Sequence, residues 1–299
     1  MSMENGIIIK SLSGFYDVET AEGTVRCEAR GRFRHLGIKP VVGDMVALEA
    51  TEPGCGVINA VLPRKNVFAR PAVANVDQIV FVVSEVLPVT DTTVLDRMIA
   101  MAEKAGVEPV ICVNKCDVAD GERLRDIYTR AGFTVYAVSA ATGDGVEALK
   151  RCLAGRISAF AGDTGVGKSS LLNRLLTDAA LKTGAVSEKL GRGRHTTRHV
   201  ELYHIDGGGL AADTPGFASF DEESFQPEAE EVERLFREFA PYLGACRFVG
   251  CAHTKEQGCA VLAAVEAGAI PASRHKSYVQ LYQEAKSRNS WEKKNRKKV

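Results

Sequence analysis

The sequence predicts an α/β protein in three parts. These are a small N-terminal β-barrel of the OB type, a central parallel sheet with helices on both faces, and a C-terminal helical module carrying a metal. Three observations predict this. Polar and apolar residues alternate through residues 25–34; strand-length apolar runs alternate with helical stretches from about residue 69; three cysteines and a histidine crowd into residues 246–259. The expected boundaries are 1–68, 69–221 and 222–299, and 299 residues suit two or three domains.

Composition excludes several classes. Apolar residues are 45% and charged residues 25%, values of a folded globular chain rather than a disordered or collagen-like one. No apolar run approaches the ~20 residues that span a bilayer. The opening MSMENGIIIK lacks a basic stretch followed by an apolar one, so a cytoplasmic protein with no membrane partner is expected. Lys plus Arg and Asp plus Glu are 38 each, a net charge of zero, so any polyanion must be met by local patches. Such patches exist: residues 221–233 hold seven acids and no base, and residues 286–298 hold seven bases against Glu292. Eight cysteines are too sparse for a disulfide scaffold, and those outside the 246–259 cluster read as small buried hydrophobes.

In residues 25–34, Val25, Cys27, Ala29 and Phe33 face one way, while Arg26, Glu28, Arg30, Arg32 and Arg34 face the other. Residues 41–48 and 56–62 read as further strands, and several short strands in so few residues suit a small barrel. Its arginines suit contact with nucleic acid. Residues 79–83 (IVFVV) are apolar throughout, as in a parallel strand covered on both faces. A helix over 92–105 follows, with Val94, Leu95, Met98, Ile99, Met101, Ala102 and Ala105 at helical spacing. Next come strand 110–113, a helix around 122–131, strand 135–138, a helix around 145–153 and strand 157–161. That rhythm predicts a parallel sheet. Gly207-Gly208-Gly209 marks a hairpin, and the chain reads as helical from about residue 222.

Residues 162–169, GDTGVGKS, match G-x-x-x-x-G-K-[ST] between a strand and a helix. Gly162, Gly165 and Gly167 let backbone N–H groups close on phosphate oxygens, with Asp163, Thr164 and Val166 completing the loop. Lys168 reaches the β- and γ-phosphates, the Ser169 hydroxyl can ligate Mg²⁺, and Ser170 continues the turn. Residues 114–117, NKCD, follow a strand and resemble the N-K-x-D element of GTPases. The Asp117 carboxylate can accept from guanine N1–H and N2–H₂, a donor pair adenine lacks. Lys115 can lie along the base, beside Asn114 and Cys116. Ser139 and Ala140, after the next strand, resemble the loop that offers an N–H to guanine O6. These residues make GTP or GDP the expected nucleotide. An ATP-using enzyme is the rival that Asp117 argues against.

The motif order is unusual, because the base-reading residues precede the phosphate loop. A circularly permuted domain can still form the pocket. Asp213-Thr214-Pro215-Gly216 comes last, where Asp213 can hold Mg²⁺ through water and Gly216 can offer its N–H to the γ-phosphate. Residues 190–198, LGRGRHTTR, form a Gly-rich basic loop in which Thr196 or Thr197 can be a second Mg²⁺ ligand. The position after D-x-x-G, where many GTPases carry a water-orienting Gln, is Phe217. Two roles are open to His195: orienting the attacking water, or contacting RNA phosphate or solvent. Cys246, Cys251, His253 and Cys259 have the spacing C-x₄-C-x-H-x₅-C, which suits a closed structural Zn²⁺ shell.

Taken together, NKCD, SA, GDTGVGKSS, GRGRHTTR, DTPGF and the C-x₄-C-x-H-x₅-C cluster behind a small barrel resemble the ribosome small-subunit-dependent GTPase A family (RsgA/YjeQ). The resemblance implies an OB-fold, a circularly permuted P-loop GTPase domain and a zinc module. It also implies a cytoplasmic, monomeric GTPase that acts late in 30S subunit maturation, binds 16S rRNA near the decoding region and is stimulated by the subunit. A nucleotide-gated RNA-binding module with incidental hydrolysis is the alternative. Two departures are visible: Asp163-Thr164 stands where the family usually has Gln-Ser, and its three-Thr run is shortened to Thr196-Thr197 before Arg198.

Overall fold

The computed structural model describes residues 3–31, 33, 37–69, 71–177, 200–213 and 225–296, with backbone only at 3, 213 and 289–296. The chain divides into two compact units. One comprises residues 1–80, 139–162 and 167–220; the other comprises residues 81–138, 163–166 and 221–299.

The first unit contains the barrel. Its strands are β1 (Met3–Leu12), β2 (Phe15–Thr20), β3 (Gly23–Ala29), β4 (Met45–Glu52) and β5 (Cys55–Val61). They run in the order β1-β2-β3-β5-β4, and β1–β4 pairing closes the ring. β1 serves two neighbours: residues 3–7 pair with β4, and residues 7–12 pair with β2 across a register shift between Ile8 and Lys10. Alternation fills the interior with Ile8, Val18, Cys27, Val46, Leu48 and Ile58, all fully buried.

The expected strand over 25–34 is shorter than its pattern. Cys27 is buried between exposed Arg26 and Glu28, but β3 stops at Ala29. A turn follows, in which the Phe33 N–H donates to the Arg30 carbonyl at 3.1 Å. Phe33 is buried outside the strand, and Arg32 and Arg34 lie outside the described residues. The expected strand at 41–48 begins only at Met45. Buried Asp44 explains why: its carboxylate accepts the Val41 N–H at 2.8 Å, folding residues 41–44 into a turn. Arg64 grips the same carboxylate through Nε at 2.7 Å and Nη2 at 2.8 Å. A short hairpin, β6 (Val67–Ala69) and β7 (Ala72–Ala74), follows.

The same unit holds α3 (Val146–Leu153), β11 (Ile157–Ala161), α4 (Lys168–Leu175), β12 (Glu201–His204) and β13 (Leu210–Asp213). β11 and β13 are parallel, while β12 and β13 form the expected antiparallel hairpin across the glycines. β12 also meets the barrel, with Glu201 opposite Lys10 of β1. Their side chains pair at 2.9 Å, and His204 Nε2 lies 2.7 Å from Glu19 Oε2 of β2.

The second unit contains most of the periodic elements read from the sequence. β8 (Gln78–Val83) enters it at Phe81. α1 (Thr92–Lys104), β9 (Glu108–Val113), α2 (Glu122–Arg130) and β10 (Thr134–Ala137) follow. Every residue of β8 is buried, as the apolar run 79–83 requires, and the Gln78 amide donates to Ser158 Oγ at 3.0 Å and accepts from Arg156 Nη1 at 2.7 Å. The sheet order is β10-β9-β8, with β10 and β9 parallel. Asp91 caps α1 by accepting the Thr93 N–H at 2.8 Å. The α1 stripe buries Leu95, Met98, Ile99, Met101 and Ala102, whereas Val94 is exposed, so the apolar face is narrower than expected.

After residue 224 the chain forms two 3₁₀ segments, Ala229–Leu235 and Arg237–Tyr242, then α5 (Ala260–Glu266) and α6 (Ala272–Arg296). A buried charge cluster ties these to α1 and α2. The Arg274 guanidinium, fully buried, donates to Glu238 at 2.6 and 3.2 Å and to Asp96 Oδ1 at 2.7 Å. Tyr128 donates its hydroxyl to the same Asp96 oxygen at 2.9 Å. Burial opposes the Arg274 charge, yet Asp96 and Glu238 outweigh it and hold its pKa above the ordinary value.

Candidate nucleotide and metal sites

In the second unit, NKCD leaves β9 on a loop held from several sides. The Asn114 N–H donates to the Val83 carbonyl at 2.8 Å, and its side-chain Nδ2 donates to the Val166 carbonyl at 2.8 Å. The segment expected to read the base is thereby bonded to residues 163–166 of the expected phosphate loop, 52 positions from Asn114 to Val166, although their order is reversed. Lys115 has a positive φ of 65° and donates through Nζ to the Leu87 carbonyl at 2.6 Å. The Cys116 N–H donates to the Val138 carbonyl at 3.1 Å, and its half-buried thiol donates to the Val113 carbonyl at 3.2 Å. Burial raises that thiol's pKa, helped by Asp117 and Glu85. Asp117 is exposed at the loop's outer turn. Of the phosphate loop, Asp163, Thr164 and Gly165 are exposed and Val166 is buried.

In the first unit, Gly162 and Gly167 flank the rest of that loop. Gly162, Gly165 and Gly167 have φ of 139°, 88° and 97°, values that side chains resist. α4 starts at Lys168 with no side-chain cap, so its first N–H groups are available to an anion. Lys168 Nζ donates to the Gly162 carbonyl. Ser169 is half-buried and Ser170 exposed on the first turn. Ser139 and Ala140 sit on a tight turn: the Ser139 N–H donates to Asp144 O at 2.9 Å, and Gly143 N–H to Ser139 O at 2.8 Å. Arg174 of α4 donates to the Ala140 and Ala141 carbonyls, a support that no local motif announces. Asp213 closes β13 opposite Glu201. His195, Thr196, Thr197 and Gly216 lie outside the described residues.

Cys246, Cys251, His253 and Cys259 converge in the second unit, their ligand atoms all within 4.8 Å of one another. Cys246 Sγ is 3.8 Å from Cys259 Sγ, and His253 Nδ1 is 3.5 and 3.3 Å from those two sulfurs. A tetrahedron with Zn–S bonds of about 2.3 Å has S···S edges of about 3.8 Å, so this donor set fits zinc in size and in softness. Burial pushes the Cys251 thiol up to about 12, so thiolates here need a cation to balance them. The Ala260 N–H donates to Cys246 Sγ at 3.3 Å and the Leu262 N–H to Cys259 Sγ at 3.5 Å. Glu233 contacts His253 Nε2 at 3.0 Å, which turns Nδ1 toward the sulfurs. Sequence reading placed Glu233 only in an acidic run. Cys55, expected to be buried, is exposed.

Comparison with known proteins matches two family models in succession along the chain. The RsgA N-terminal domain family matches residues 5–58, and the RsgA GTPase family matches residues 61–223. The "Small ribosomal subunit biogenesis GTPase RsgA" of Caldanaerobacter subterraneus subsp. tengcongensis is 44% identical over 96% of this chain and 98% of its own. That of Geobacillus kaustophilus is 45% identical over 96% and 99%. The crystal structure of YjeQ from Thermotoga maritima superposes with a TM-score of 0.80 at 39% identity, covering 95% of this chain and 99% of that one. YloQ, described as a circularly permuted GTPase, does so at 0.80 with 36% identity and 96% of each chain covered. With both family models matched in order, this chain belongs to the RsgA GTPase family: an OB-type barrel, a circularly permuted GTPase domain and C-terminal helices with a Cys/His cluster.

Proposed function

We propose that this GTPase hydrolyses GTP to GDP and phosphate during late maturation of the small ribosomal subunit, and that the subunit stimulates it. The observation that carries the nucleotide part is the Asn114–Val166 bond, which joins base-reading and phosphate-binding segments. The names of the relatives carry the ribosomal part.

In this reading Asp117 accepts from guanine N1–H and N2–H₂, Lys115 lies along the base, and Asn114 and Cys116 hold the loop. Ser139 and Ala140 present backbone toward guanine O6. Gly162, Asp163, Thr164, Gly165, Val166 and Gly167 wrap the phosphates with backbone N–H groups, and Ser170 continues the helix start. Lys168 neutralises the β- and γ-phosphates. Ser169, Asp213 and one of Thr196 or Thr197 are hard oxygen donors suited to Mg²⁺, which supplies charge neutralisation between those phosphates. Gly216 donates to the γ-phosphate, and His195 orients the attacking water in the place of a Gln. Cys246, Cys251, His253 and Cys259 hold one structural Zn²⁺.

The arginines of the barrel and the basic 286–298 segment meet 16S rRNA phosphates, and the protein works as a cytoplasmic monomer. No helix among the described residues is long and apolar enough to cross a membrane. Hydrolysis measured with and without purified 30S subunits tests the reading. Turnover should rise at least about tenfold with subunits and weaken steeply as salt rises. No stimulation at any salt concentration removes the ribosomal part. Lys168→Ala separates it from the incidental-hydrolysis alternative, because only that alternative lets the variant complete subunit maturation.

Stripping metal with a chelator is a further check. His253 packs against the buried rings of Phe239 and Tyr278, so the four ligands and this aromatic core hold the region together, and in small zinc modules metal binding is worth roughly 10 kcal/mol or more. Chelation should release about one zinc per chain, with an early unfolding transition for the C-terminal helices. A metal-free preparation that melts unchanged rejects the site.

A further inference from the structure

We propose that Glu85 is a positioning residue for guanine recognition, holding the Asp117 loop from the exit of β8. The inference rests on Asp117 being the base-reading residue. α2 begins at Glu122, and its N-cap, Gly121, four residues after Asp117, carries no side-chain cap. A side chain cannot stand there: φ is 70°, and a Cβ would lie 2.5 Å from Val113 Cγ1 and 3.5 Å from Cys116 Sγ. The missing oxygen comes from Glu85, whose Oε1 accepts the Leu124 N–H at 2.7 Å, across 39 positions of sequence. The helix N-terminus welcomes a carboxylate, and Arg123 Nε adds a looser contact at 3.8 Å. The Glu85 side chain is 16% exposed, so this is an enclosed contact rather than a solvated one.

The same short segment holds the loop elsewhere. Val83 O accepts from Asn114 N–H at 2.8 Å, and Leu87 O accepts from Lys115 Nζ at 2.6 Å. Residues 83–87 thus grip NKCD at its start and at its lysine and, through Glu85, hold the first turn of the helix that follows it. The grip is itself rigid. Thr90 Oγ1 accepts from the Ser84 N–H at 2.9 Å, the Ser84 hydroxyl donates to Val86 O at 2.9 Å, and both Ser84 and Thr90 are buried. Asp117 lies between these anchors. Of the three, Glu85 alone acts through its side chain, so substitution can release it.

The test compares GDP with inosine diphosphate, which lacks the 2-amino group and therefore forfeits one of the two bonds Asp117 accepts. Calorimetric titrations use the full chain with Mg²⁺. Glu85→Ala should weaken GDP by about fivefold to tenfold, the scale of a lost cap, and inosine diphosphate by less than about twofold. The GDP preference then falls, while Glu85→Gln, which keeps the acceptor oxygen, restores it. Equal weakening of both nucleotides, or an unchanged preference in Glu85→Ala, overturns the proposal. A wild-type chain with no GDP preference instead removes the base-reading role of Asp117, so the two failures are distinguishable. Matched melting curves for the two variants keep a folding defect from imitating either result.

Discussion

Asp117→Asn should move nucleotide preference from guanine to xanthine. In the proposed site the carboxylate accepts two bonds from guanine; an amide would accept one and turn its NH₂ against the 2-amino group. Xanthine carries a carbonyl there and restores the pair. GDP affinity should fall by about two to three orders of magnitude, the penalty for desolvated groups without partners, and xanthosine diphosphate should recover most of it. Asp117 is exposed on its loop, so the substitution leaves the core untouched and the stability should hold. Titration of both nucleotides against both proteins decides the matter. A variant that retains GDP affinity would show that this carboxylate does not face the base.

The second large effect lies in the buried charge cluster. Arg274→Met removes the cation that two buried carboxylates share. Asp96 is left with the Tyr128 hydroxyl on Oδ1, and Oδ2 has no hydrogen-bond partner among the described residues even with the arginine in place. Losing one partner of such a cluster costs about 3–5 kcal/mol, far above the cost of an exposed pair. The guanidinium also lies 4.6 Å from the Phe236 ring centroid, so packing is lost with the charge. The denaturant midpoint should drop sharply. Combining Arg274→Met with Asp96→Leu and Glu238→Leu should recover most of the loss, because no buried charge then remains. A single-variant loss below about 1 kcal/mol contradicts this account of the cluster.

Short-range patterns were legible and long-range partners were not. GDTGVGKS, NKCD and the cysteine spacing each compress a geometry into a few consecutive residues, and the helices at α1, α2 and α3 repeat their apolar face every turn. The barrel was readable as β, but its first two strands were not individually visible. Its third strand ran past its true end because alternation continues through Phe33 while the backbone turns at Gly31. Glu85, Glu233 and Arg174 were invisible for a common reason: each acts on a partner 20 or more positions away. The pairing of Arg274 with Asp96 spans 178 positions, and nothing near either residue marks it. A charged residue in a helix reads as solvated until packing encloses it.

β1 belongs to the barrel ring and also sits beside β12. A protein trimmed to begin at residue 69 would therefore lose more than a separate barrel. It would leave β12 as a bare edge, with Glu201 stripped of its lysine and backbone groups available to any passing strand. Work on a fragment that lacks the barrel should expect a sticky product, because within the first unit the barrel and the β12–β13 hairpin share one sheet.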